Sequence, residues 1–260
     1  MALHQHPHSL DMPLQTGVVV LAAGHGERLG LGPKALIRVG DRPLLLHVLD
    51  SMATNASVNT VVVTAPDDMV ADFQELADSI NPAVLIRVTP GGATRQDSGH
   101  AGVAALPPEV DCVAVTDVAR PFTPPGTIDR LLEDLRTAAR DARPGLGPCG
   151  IVPALPLVDS VHLRGEGPLL KKPFDRSLLR AAQTPQLFHR RCLAAAYEAA
   201  AKDGAACTDD AGMISRFGGA VATSPGDAAN FKITYEYDLA LAEAFHAHAA
   251  KALVERGAGT

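Results

Sequence analysis

A glycine-rich segment that carries two cationic side chains follows the first strongly apolar run of the chain. The run Val18–Ala23 leads directly into Gly24-His25-Gly26-Glu27-Arg28-Leu29-Gly30-Leu31-Gly32-Pro33-Lys34. Glycines let backbone N–H groups approach an anion closely, and Arg28 and Lys34 add two positive charges to the same segment. The pattern therefore predicts a phosphate-binding loop at the carboxyl end of a strand, where open α/β sheets bind ligands.

Two common phosphate-binding signatures do not describe this loop. A P-loop requires Gly-Lys-Ser or Gly-Lys-Thr, and neither tripeptide follows the glycines. A dinucleotide fingerprint that starts at Gly24 would need a glycine at position 29, where this chain has leucine. The loop therefore disfavours an NAD-dependent dehydrogenase.

A second polar segment, Pro90–Ser98, follows the third apolar run. Its Gly91-Gly92 corner offers bare backbone against which a flat group can lie. Thr94 is predicted to cap the helix that follows. Ser98, one turn further on, either caps that helix or faces a ligand.

A carboxylate and a guanidinium follow the fourth apolar run, in Thr116-Asp117-Val118-Ala119-Arg120-Pro121. At the carboxyl end of a strand, Asp117 and Arg120 either contact a ligand or metal or form a structural ion pair. Later, Thr208-Asp209-Asp210-Ala211 precedes a helical pattern, so helix capping is its simplest role. Lys232 lies between apolar neighbours, where a surface lysine with a buried stem is the usual arrangement.

Alternating apolar runs and amphipathic segments supply the elements that must position these side chains. Five runs separated by predicted helices indicate strands buried on both faces: Val18–Ala23, Thr60–Ala65, Val84–Thr89, Cys112–Val118 and Gly150–Leu155. They predict an α/β fold, a Rossmann-like doubly wound and mostly parallel sheet. The alternation breaks over 157–188, which is predicted to be an inserted β-arm. Residues 1–16 are predicted to be a disordered tail, and residues 17–260 a single domain.

The composition narrows the classes of function. The chain has 260 residues and a formal net charge of −6, which disfavours a nucleic-acid binder. Its apolar runs are too short to span a bilayer, so no membrane partner is predicted. The four cysteines have neither zinc-binding nor redox spacing, which favours a reduced, cytoplasmic setting.

The motifs, taken in order, resemble those of the 2-C-methyl-D-erythritol 4-phosphate cytidylyltransferase family, within the sugar-phosphate nucleotidyltransferases. The resemblance runs from about Val18 to Ala244. Its motifs are Ala22-Ala23-Gly24 with Arg28 and Lys34, Gly91-Gly92 with Arg95 and Ser98, Asp117 with Ala119-Arg120-Pro121, Arg176, Thr184-Pro185-Gln186, Thr208-Asp209-Asp210-Ala211, and Lys232 with Asp238-Leu239. The resemblance implies a reaction in which CTP and methylerythritol phosphate form 4-diphosphocytidyl-2-C-methyl-D-erythritol and pyrophosphate, in non-mevalonate isoprenoid synthesis.

The resemblance also implies roles for individual residues. Arg28 and Lys34 would stabilise charge on the CTP phosphates, and Arg176 and Lys232 would position the attacking phosphate. The residues that would bind CTP are Ala22, Ala23, Gly24, Gly26, Gly91, Gly92 and Ser98. Those that would contact the polyol phosphate are Asp117, Arg120, Ser160 and Thr184.

Two further expectations follow from the resemblance. The reaction would use Mg²⁺ held largely by the CTP phosphates, with Asp117 as the one side chain considered as a metal ligand. Arg176 lies in the arm, which in this family reaches over a neighbouring subunit, so the resemblance implies a homodimer with shared sites.

Departures from the family pattern leave the acceptor open. Thr116 and Val118 stand where the family has histidine and alanine, and His162 stands where lysine is common. Ribitol-5-phosphate cytidylyltransferases share most of the pattern, so another polyol phosphate is the alternative acceptor. A non-catalytic nucleotide-binding protein is a further alternative, because fold alone does not establish catalysis. Thr184-Pro185-Gln186 and Thr208-Asp209-Asp210 disfavour molybdopterin- and hexose-phosphate-type transferases.

Overall fold

The computed structural model describes residues 14–24, 26, 29–80, 84–143 and 147–257, with side chains described as far as residue 251 except residue 250. The strands are β1 (Thr16–Leu21), β2 (Arg38–Val39), β3 (Arg42–Pro43), β4 (Val58–Ala65), β5 (Leu85–Pro90), β6 (Cys112–Asp117), β7 (Gly150–Pro156), β8 (His162–Arg164), β9 (Leu170–Pro173), β10 (Arg180–Ala182), β11 (Gln186–His189) and β12 (Val221–Pro225). The helices are α1 (Leu44–Ala53), α2 (Val70–Asp78), α3 (Arg95–Ala105), α4 (Thr127–Asp141), α5 (Arg190–Asp203), α6 (Asp210–Arg216) and α7 (Glu236–Gly257).

Eight strands form the central sheet, in the order β10-β7-β11-β6-β1-β4-β5, with β12 paired to β7. The pairs β1–β4, β1–β6, β4–β5 and β12–β7 are parallel, whereas β10 and β11 run antiparallel to their neighbours. The predicted α/β fold with a mostly parallel sheet is confirmed.

The two faces of the sheet belong to separate apolar clusters. Val18 and Val20 of β1 face the cluster that α1, α2, α4 and α7 cover. Val19 faces the other cluster, which α3, α5 and α6 cover. Successive side chains of a strand point to opposite faces, so a strand covered by helices on both sides must be apolar at every position. This requirement explains the three consecutive valines, Val18 to Val20, in β1.

The inserted arm is shorter than the range 157–188 expected from the sequence. The chain leaves the sheet after β7, forms the exposed β8–β9 hairpin, and returns at β10. β11 then lies between β6 and β7, inside the sheet. Its apolar run is only Leu187 and Phe188, preceded by a polar but buried Gln186. A strand of four residues with a polar start gives no periodic signal, so the pattern assigned it to the arm.

The predicted amino-terminal tail also ends earlier than expected. Residues 1–13 lie outside the described residues, but Thr16 is completely buried and already belongs to β1. Its backbone N–H donates to the side-chain oxygen of Asn59, at 2.9 Å. The domain therefore begins before residue 17.

Side-chain caps fix the starts of the two helices that border the site. Thr94 accepts a hydrogen bond from the backbone N–H of Asp97, and the Asp97 carboxylate accepts one from the N–H of Thr94, a reciprocal capping box. Asp209 caps α6 by accepting from the backbone N–H of Gly212, at 2.9 Å. Both caps were predicted from the sequence. Within the described part of the chain, no helix is long and apolar enough to cross a membrane.

Candidate active site

A cavity of about 480 Å³ opens at the carboxyl ends of the parallel strands. Three of its walls are the loops that follow β1, β5 and β6, and the fourth is the loop between β12 and α7. This is the edge at which open α/β sheets bind ligands. The lining residues are Leu21, Ala23, Gly24, Gly26, Lys34, Gly92, Ala93, Thr94, Arg95, Ser98, Asp117, Val118, Ala119 and Lys232.

The loop after β1 folds back on itself and brings Lys34 to the cavity. Gly26 has a φ of +68°, a conformation that L side chains rarely adopt, and a Cβ there would lie 2.6 Å from the carbonyl oxygen of Gly32. The backbone N–H of Lys34 donates to the carbonyl of Gly24, at 3.3 Å. Among the described residues, a Cβ on Gly24 would meet no atom within 4 Å. Arg28, the other predicted cation of this loop, lies outside the described residues.

The loop after β5 is built around its two glycines. A Cβ on Gly91 would lie 2.5 Å from the Cβ of Ala23, and a Cβ on Gly92 would collide with Asp97. The Ser98 hydroxyl accepts from the backbone N–H of Gly92 at 3.1 Å and donates to the carbonyl of Thr94 at 2.9 Å. Ser98 therefore has both of the roles that the sequence left open. Its hydroxyl stabilises the start of α3, and the residue lines the cavity.

An ion pair joins the loop after β6 to the loop before α7. The Lys232 amine lies 2.5 Å from Oδ2 of Asp117. Burial by itself would raise the pKa of Asp117, but Lys232 and Arg95 outweigh it and hold that pKa below the usual carboxyl value. The prediction of a surface lysine with a buried stem is incomplete, because the Lys232 side chain is only 37% exposed, pairs with Asp117 and belongs to a residue that lines the cavity.

Arg95 links the Lys232–Asp117 pair to a second carboxylate. Its Nε lies 3.4 Å from Oδ1 of Asp117, and its Nη2 lies 3.0 Å from Oδ2 of Asp210. Asp210 in turn accepts a hydrogen bond from the hydroxyl of Tyr197, at 2.5 Å. No periodic or motif signal in the sequence pointed to Tyr197, and Asp210 was assigned only to capping, a role that Asp209 fills.

Buried polar side chains hold the Lys232 loop in place. Asn230 is 2% exposed and donates from Nδ2 to the carbonyl of Thr184, at 2.8 Å. It also accepts from the hydroxyl of Thr123, at 3.1 Å. Since Asn230 is two residues before Lys232, these bonds hold the backbone of the loop that carries the lysine.

Besides Gly91, three of the predicted site residues lie behind the cavity wall instead of in it. Ala22 is completely buried, with its N–H bound to the carbonyl of Thr64 at 3.0 Å. Thr184 is 5% exposed, and its hydroxyl accepts from the backbone N–H of Asp117 at 3.0 Å. Arg120 donates to the carbonyl of Asn230 at 2.5 Å, and burial lowers its pKa. All three support residues that line the cavity.

Two other predicted residues lie on the exposed arm. Ser160 and Arg176 are both exposed, and neither lines the cavity of its own chain. Arg176 donates to the backbone carbonyl of Val158. The structure therefore brings Lys34, Lys232, Asp117, Ser98 and the glycine-rich loops together, and places Ser160 and Arg176 elsewhere.

The described residues offer few protein ligands for a metal. Among them, no group of three or more His, Cys, Asp or Glu side chains is placed to hold an ion. Asp117 is the single carboxylate among the described lining residues. Such a donor set suits Mg²⁺ that is carried mainly by substrate phosphates, and it does not suit a metal held by protein alone.

The fold and this site together define a class of protein. A mostly parallel sheet carries a glycine-rich loop after β1, and lysines from two loops converge on one cavity beside a carboxylate. This arrangement serves phosphorylated nucleotides, and it is that of a nucleotidyltransferase.

Comparison with known proteins identifies the family. The family model for 2-C-methyl-D-erythritol 4-phosphate cytidylyltransferase (IspD) matches residues 16–248. A protein of that name from Streptomyces avermitilis is 41% identical over 240 residues, which are 88% of this chain and 91% of the relative. This chain belongs to the 2-C-methyl-D-erythritol 4-phosphate cytidylyltransferase family, as the motifs predicted.

Solved structures agree with that assignment. The crystal structure of the 2-C-methyl-D-erythritol 4-phosphate cytidylyltransferase from Thermus thermophilus is similar, with a TM-score of 0.69 and 32% identity, covering 89% of this chain and 98% of that one. The crystal structure of a 4-diphosphocytidyl-2C-methyl-D-erythritol synthase from Anaerococcus prevotii has a TM-score of 0.76 over 90% of this chain and 99% of that one. At 23% identity, the second comparison supports the fold alone.

Proposed function

We propose that this chain transfers the cytidylyl group of CTP to 2-C-methyl-D-erythritol 4-phosphate and releases pyrophosphate. A phosphate oxygen of the acceptor forms a new bond to the α-phosphorus of CTP. The bond from that phosphorus to the oxygen bridging the α- and β-phosphates breaks, and its electron pair leaves with pyrophosphate. The attacking oxygen is already an anion, so the reaction needs no general base.

The obstacle to this reaction is electrostatic. Two anions must approach each other while negative charge builds up on the α-phosphoryl oxygens. Lys34 and Lys232 line the same cavity, although they come from opposite ends of the chain. Their convergence is the observation that carries the proposal, because a nucleotide-binding protein without catalysis has no need for cations on both reacting partners. Lys34, together with Arg28, stabilises the CTP phosphates, and Lys232 positions the acceptor phosphate.

The glycine loops form the nucleotide side of the cavity. Gly24 and Gly92 line it, and neither has a side chain that would keep the base and ribose from the backbone. Ala23, Gly26 and Ser98 complete this wall, while Ala22 and Gly91 support it from behind. CTP binds here, with its triphosphate toward Lys34.

Mg²⁺ completes the proposed site. When bound, the ion would neutralise part of the triphosphate charge, carried by the phosphates with Asp117 as the available protein ligand among the described lining residues. Asp117 also binds Lys232 through Oδ2, so its first role in this chain is to hold that lysine.

A second copy of the chain supplies the arm residues. The arm carries a run of exposed apolar side chains, which a monomer would leave in water: Val158, Leu163, Leu169, Leu170, Phe174 and Leu178. Exposed apolar surface of this kind favours a partner. We propose a homodimer in which Arg176 and Ser160 of one subunit reach the acceptor side of the cavity in the other.

The cysteines support a reducing compartment. Cys112, Cys149, Cys192 and Cys207 are all free. Disulfides persist mainly in oxidising compartments, so four free thiols favour the cytoplasm as the place of the reaction.

The decisive experiment is a pyrophosphate-release assay with a panel of substrates. CTP, ATP, GTP and UTP are each tested with methylerythritol 4-phosphate, ribitol 5-phosphate and erythritol 4-phosphate. We expect the highest kcat/KM with CTP and methylerythritol 4-phosphate. A higher value with ribitol 5-phosphate would change the acceptor, and no release with any pair would indicate a non-catalytic binder.

A further inference from the structure

One guanidinium is shared between two carboxylates beside the cavity. Arg95 lies closer to Asp210, at 3.0 Å, than to Asp117, at 3.4 Å. Asp117 is closer still to Lys232, at 2.5 Å. Asp210 therefore has the closer contact with Arg95, while Asp117 has only the longer hydrogen bond from Arg95 Nε and its shorter contact is with Lys232.

Asp210 is deeply buried, although its position at the start of α6 does not require burial. Its side chain is only 2% exposed. The helix cap that its neighbourhood requires is supplied by Asp209, which accepts from the N–H of Gly212. A buried carboxylate is costly unless it is paired and hydrogen-bonded, and Asp210 has such partners in Arg95 and in the hydroxyl of Tyr197.

The surrounding helices make room for this arrangement. Tyr197, on α5, is 1% exposed, and its hydroxyl reaches Asp210 beside Gly99 of α3. Any side chain at Gly99 would collide with that hydroxyl. Burial, together with the charge of Asp210, raises the pKa of Tyr197 well above its usual value, so the phenol stays protonated and remains a donor to Asp210.

We infer that Asp210 is a positioning residue for the reaction: by holding Arg95, it keeps Asp117 available to orient Lys232. This inference rests on the proposed function, since Lys232 is there assigned to the acceptor phosphate. If the charge of Asp210 is removed, Arg95 has one carboxylate left and competes with Lys232 for Asp117. Lys232 then loses its fixed direction, although it lies on a different loop from the altered residue.

Kinetics of two variants separate positioning from a purely structural role. Asp210→Asn keeps the shape but loses the charge, and Tyr197→Phe removes one of the bonds that hold Asp210. We expect Asp210→Asn to lower kcat about 10- to 100-fold, because small misplacements of reacting groups cost that much. The KM for methylerythritol phosphate should rise while the KM for CTP changes little, and Tyr197→Phe should shift the same constants less.

Asp209→Asn is the matched control. It alters the neighbouring residue and costs the bond from the side-chain amide of Gln186 to Oδ2 of Asp209, but it leaves Arg95 untouched. A residue of structural importance only would lower kcat in proportion to the folded fraction and leave both KM values unchanged. That pattern in Asp210→Asn would overturn the inference.

A second measurement does not depend on turnover. Lysine acylation with an N-hydroxysuccinimide ester, followed by mass spectrometry of the Lys232 peptide, reports how firmly Asp117 holds that amine. We expect faster acylation of Lys232 in Asp210→Asn than in the wild type, with the exposed arm lysines Lys171 and Lys172 as internal standards. Equal Lys232 acylation in wild type and variant would refute the inference even if the proposed reaction is correct. A wild-type protein without turnover would refute the proposed function, and the acylation rates would still decide the role of Asp210.

Discussion

The Lys34 amine donates a hydrogen bond to the backbone carbonyl of Ile233, 2.9 Å away. The two residues are 199 positions apart, and the bond ties the loop after β1 to the loop that carries Lys232. The N–H of Ile233 donates in turn to the carbonyl of Ala119, at 2.9 Å, so the loop after β6 is joined to the same point. Three of the four cavity walls are therefore fixed to one another before any substrate binds, which reduces the reorganisation that binding requires.

Lys34→Met tests the charge of this lysine while keeping its aliphatic stem. We expect kcat to fall about 10²- to 10³-fold, as for the loss of one preorganised donor to a developing anion. The thermal midpoint should stay within a few degrees of the wild type, as measured by circular dichroism. Lys34→Arg, which restores a cation, should recover part of kcat. Wild-type turnover in Lys34→Met would remove Lys34 from the catalytic site.

Two glycine variants separate ligand contact from backbone packing. Gly24→Ala adds a methyl group to a residue that lines the cavity, and this group meets no atom of the described residues within 4 Å, so it should raise the KM for CTP without loss of stability. Gly92→Ala collides with Asp97 in the capping box of α3, and we expect about 1–3 kcal/mol lower free energy of unfolding in urea. Equal loss of stability in both variants would show that the Gly24 side of the cavity is a packed wall and not a binding surface.

The fold could be predicted largely because its strands are buried on both faces. Short β-branched runs such as Val18–Val20 favour strands buried on both faces, and the helices between them favour parallel pairing. β11 was missed for the opposite reason. It lies inside the sheet, between β7 and β6, but has four residues, a polar first residue and no α-helix directly before it, so its place depends on tertiary contacts that no local pattern records.

The residues of the site likewise divide into those that the sequence reveals and those that it does not. Glycine-rich corners and cations directly after strands could be recognised, because the chemistry and the strand end coincide in the sequence. The roles of Asp210 and Tyr197 could not, since they come from the contact of Arg95 with Asp210 and that of Asp210 with Tyr197, which join three separate helices. Thr184 was expected to contact the substrate, but its hydroxyl accepts a hydrogen bond from the backbone N–H of Asp117. Sequence motifs mark which residues belong to a site without distinguishing those that touch the ligand from those behind them.

The ion pair of Asp117 predicts a pH-dependent stability. The pKa of Asp117 in the folded protein lies below its usual value, so the carboxylate stabilises the fold above the unfolded pKa of about 3.9 and loses that effect as the pH falls through the folded pKa. Urea unfolding of wild type and Asp117→Asn should show the wild type to be more stable at pH 7. The gap should stay constant down to about pH 5 and narrow progressively as the pH falls below about 4 toward the folded pKa.

Asp68→Asn provides the control for that titration. Asp68 is exposed and lies in the short 3₁₀ helix Asp67–Met69 before α2, and its replacement should change stability by no more than about 0.5 kcal/mol at any of these pH values. A gap between wild type and Asp117→Asn that persisted unchanged to about pH 3 would contradict the assigned ion pair.

The arm raises the question of which subunit completes each site. Arg176 is exposed and does not line the cavity of its own chain, whereas Lys34 does. If the arm of one subunit serves the cavity of the other, Lys34 and Arg176 of a single site come from different chains. Two inactive variants would then complement each other in a mixed dimer.

Arg176→Ala should weaken the response to methylerythritol phosphate while CTP binding, measured by calorimetry, survives. Arg176→Ala and Lys34→Met are then unfolded together, refolded as a mixture and assayed. A shared site gives each mixed dimer one cavity with both wild-type residues, so random pairing should restore roughly a quarter of wild-type activity. Arg164→Ala, at the exposed end of β8, is the control variant and should behave like the wild type when assayed alone. The mixture of Arg176→Ala and Lys34→Met could instead be no more active than its separate components. That result would mean that both residues act within one chain, or that Arg176 contributes to the cavity of neither subunit.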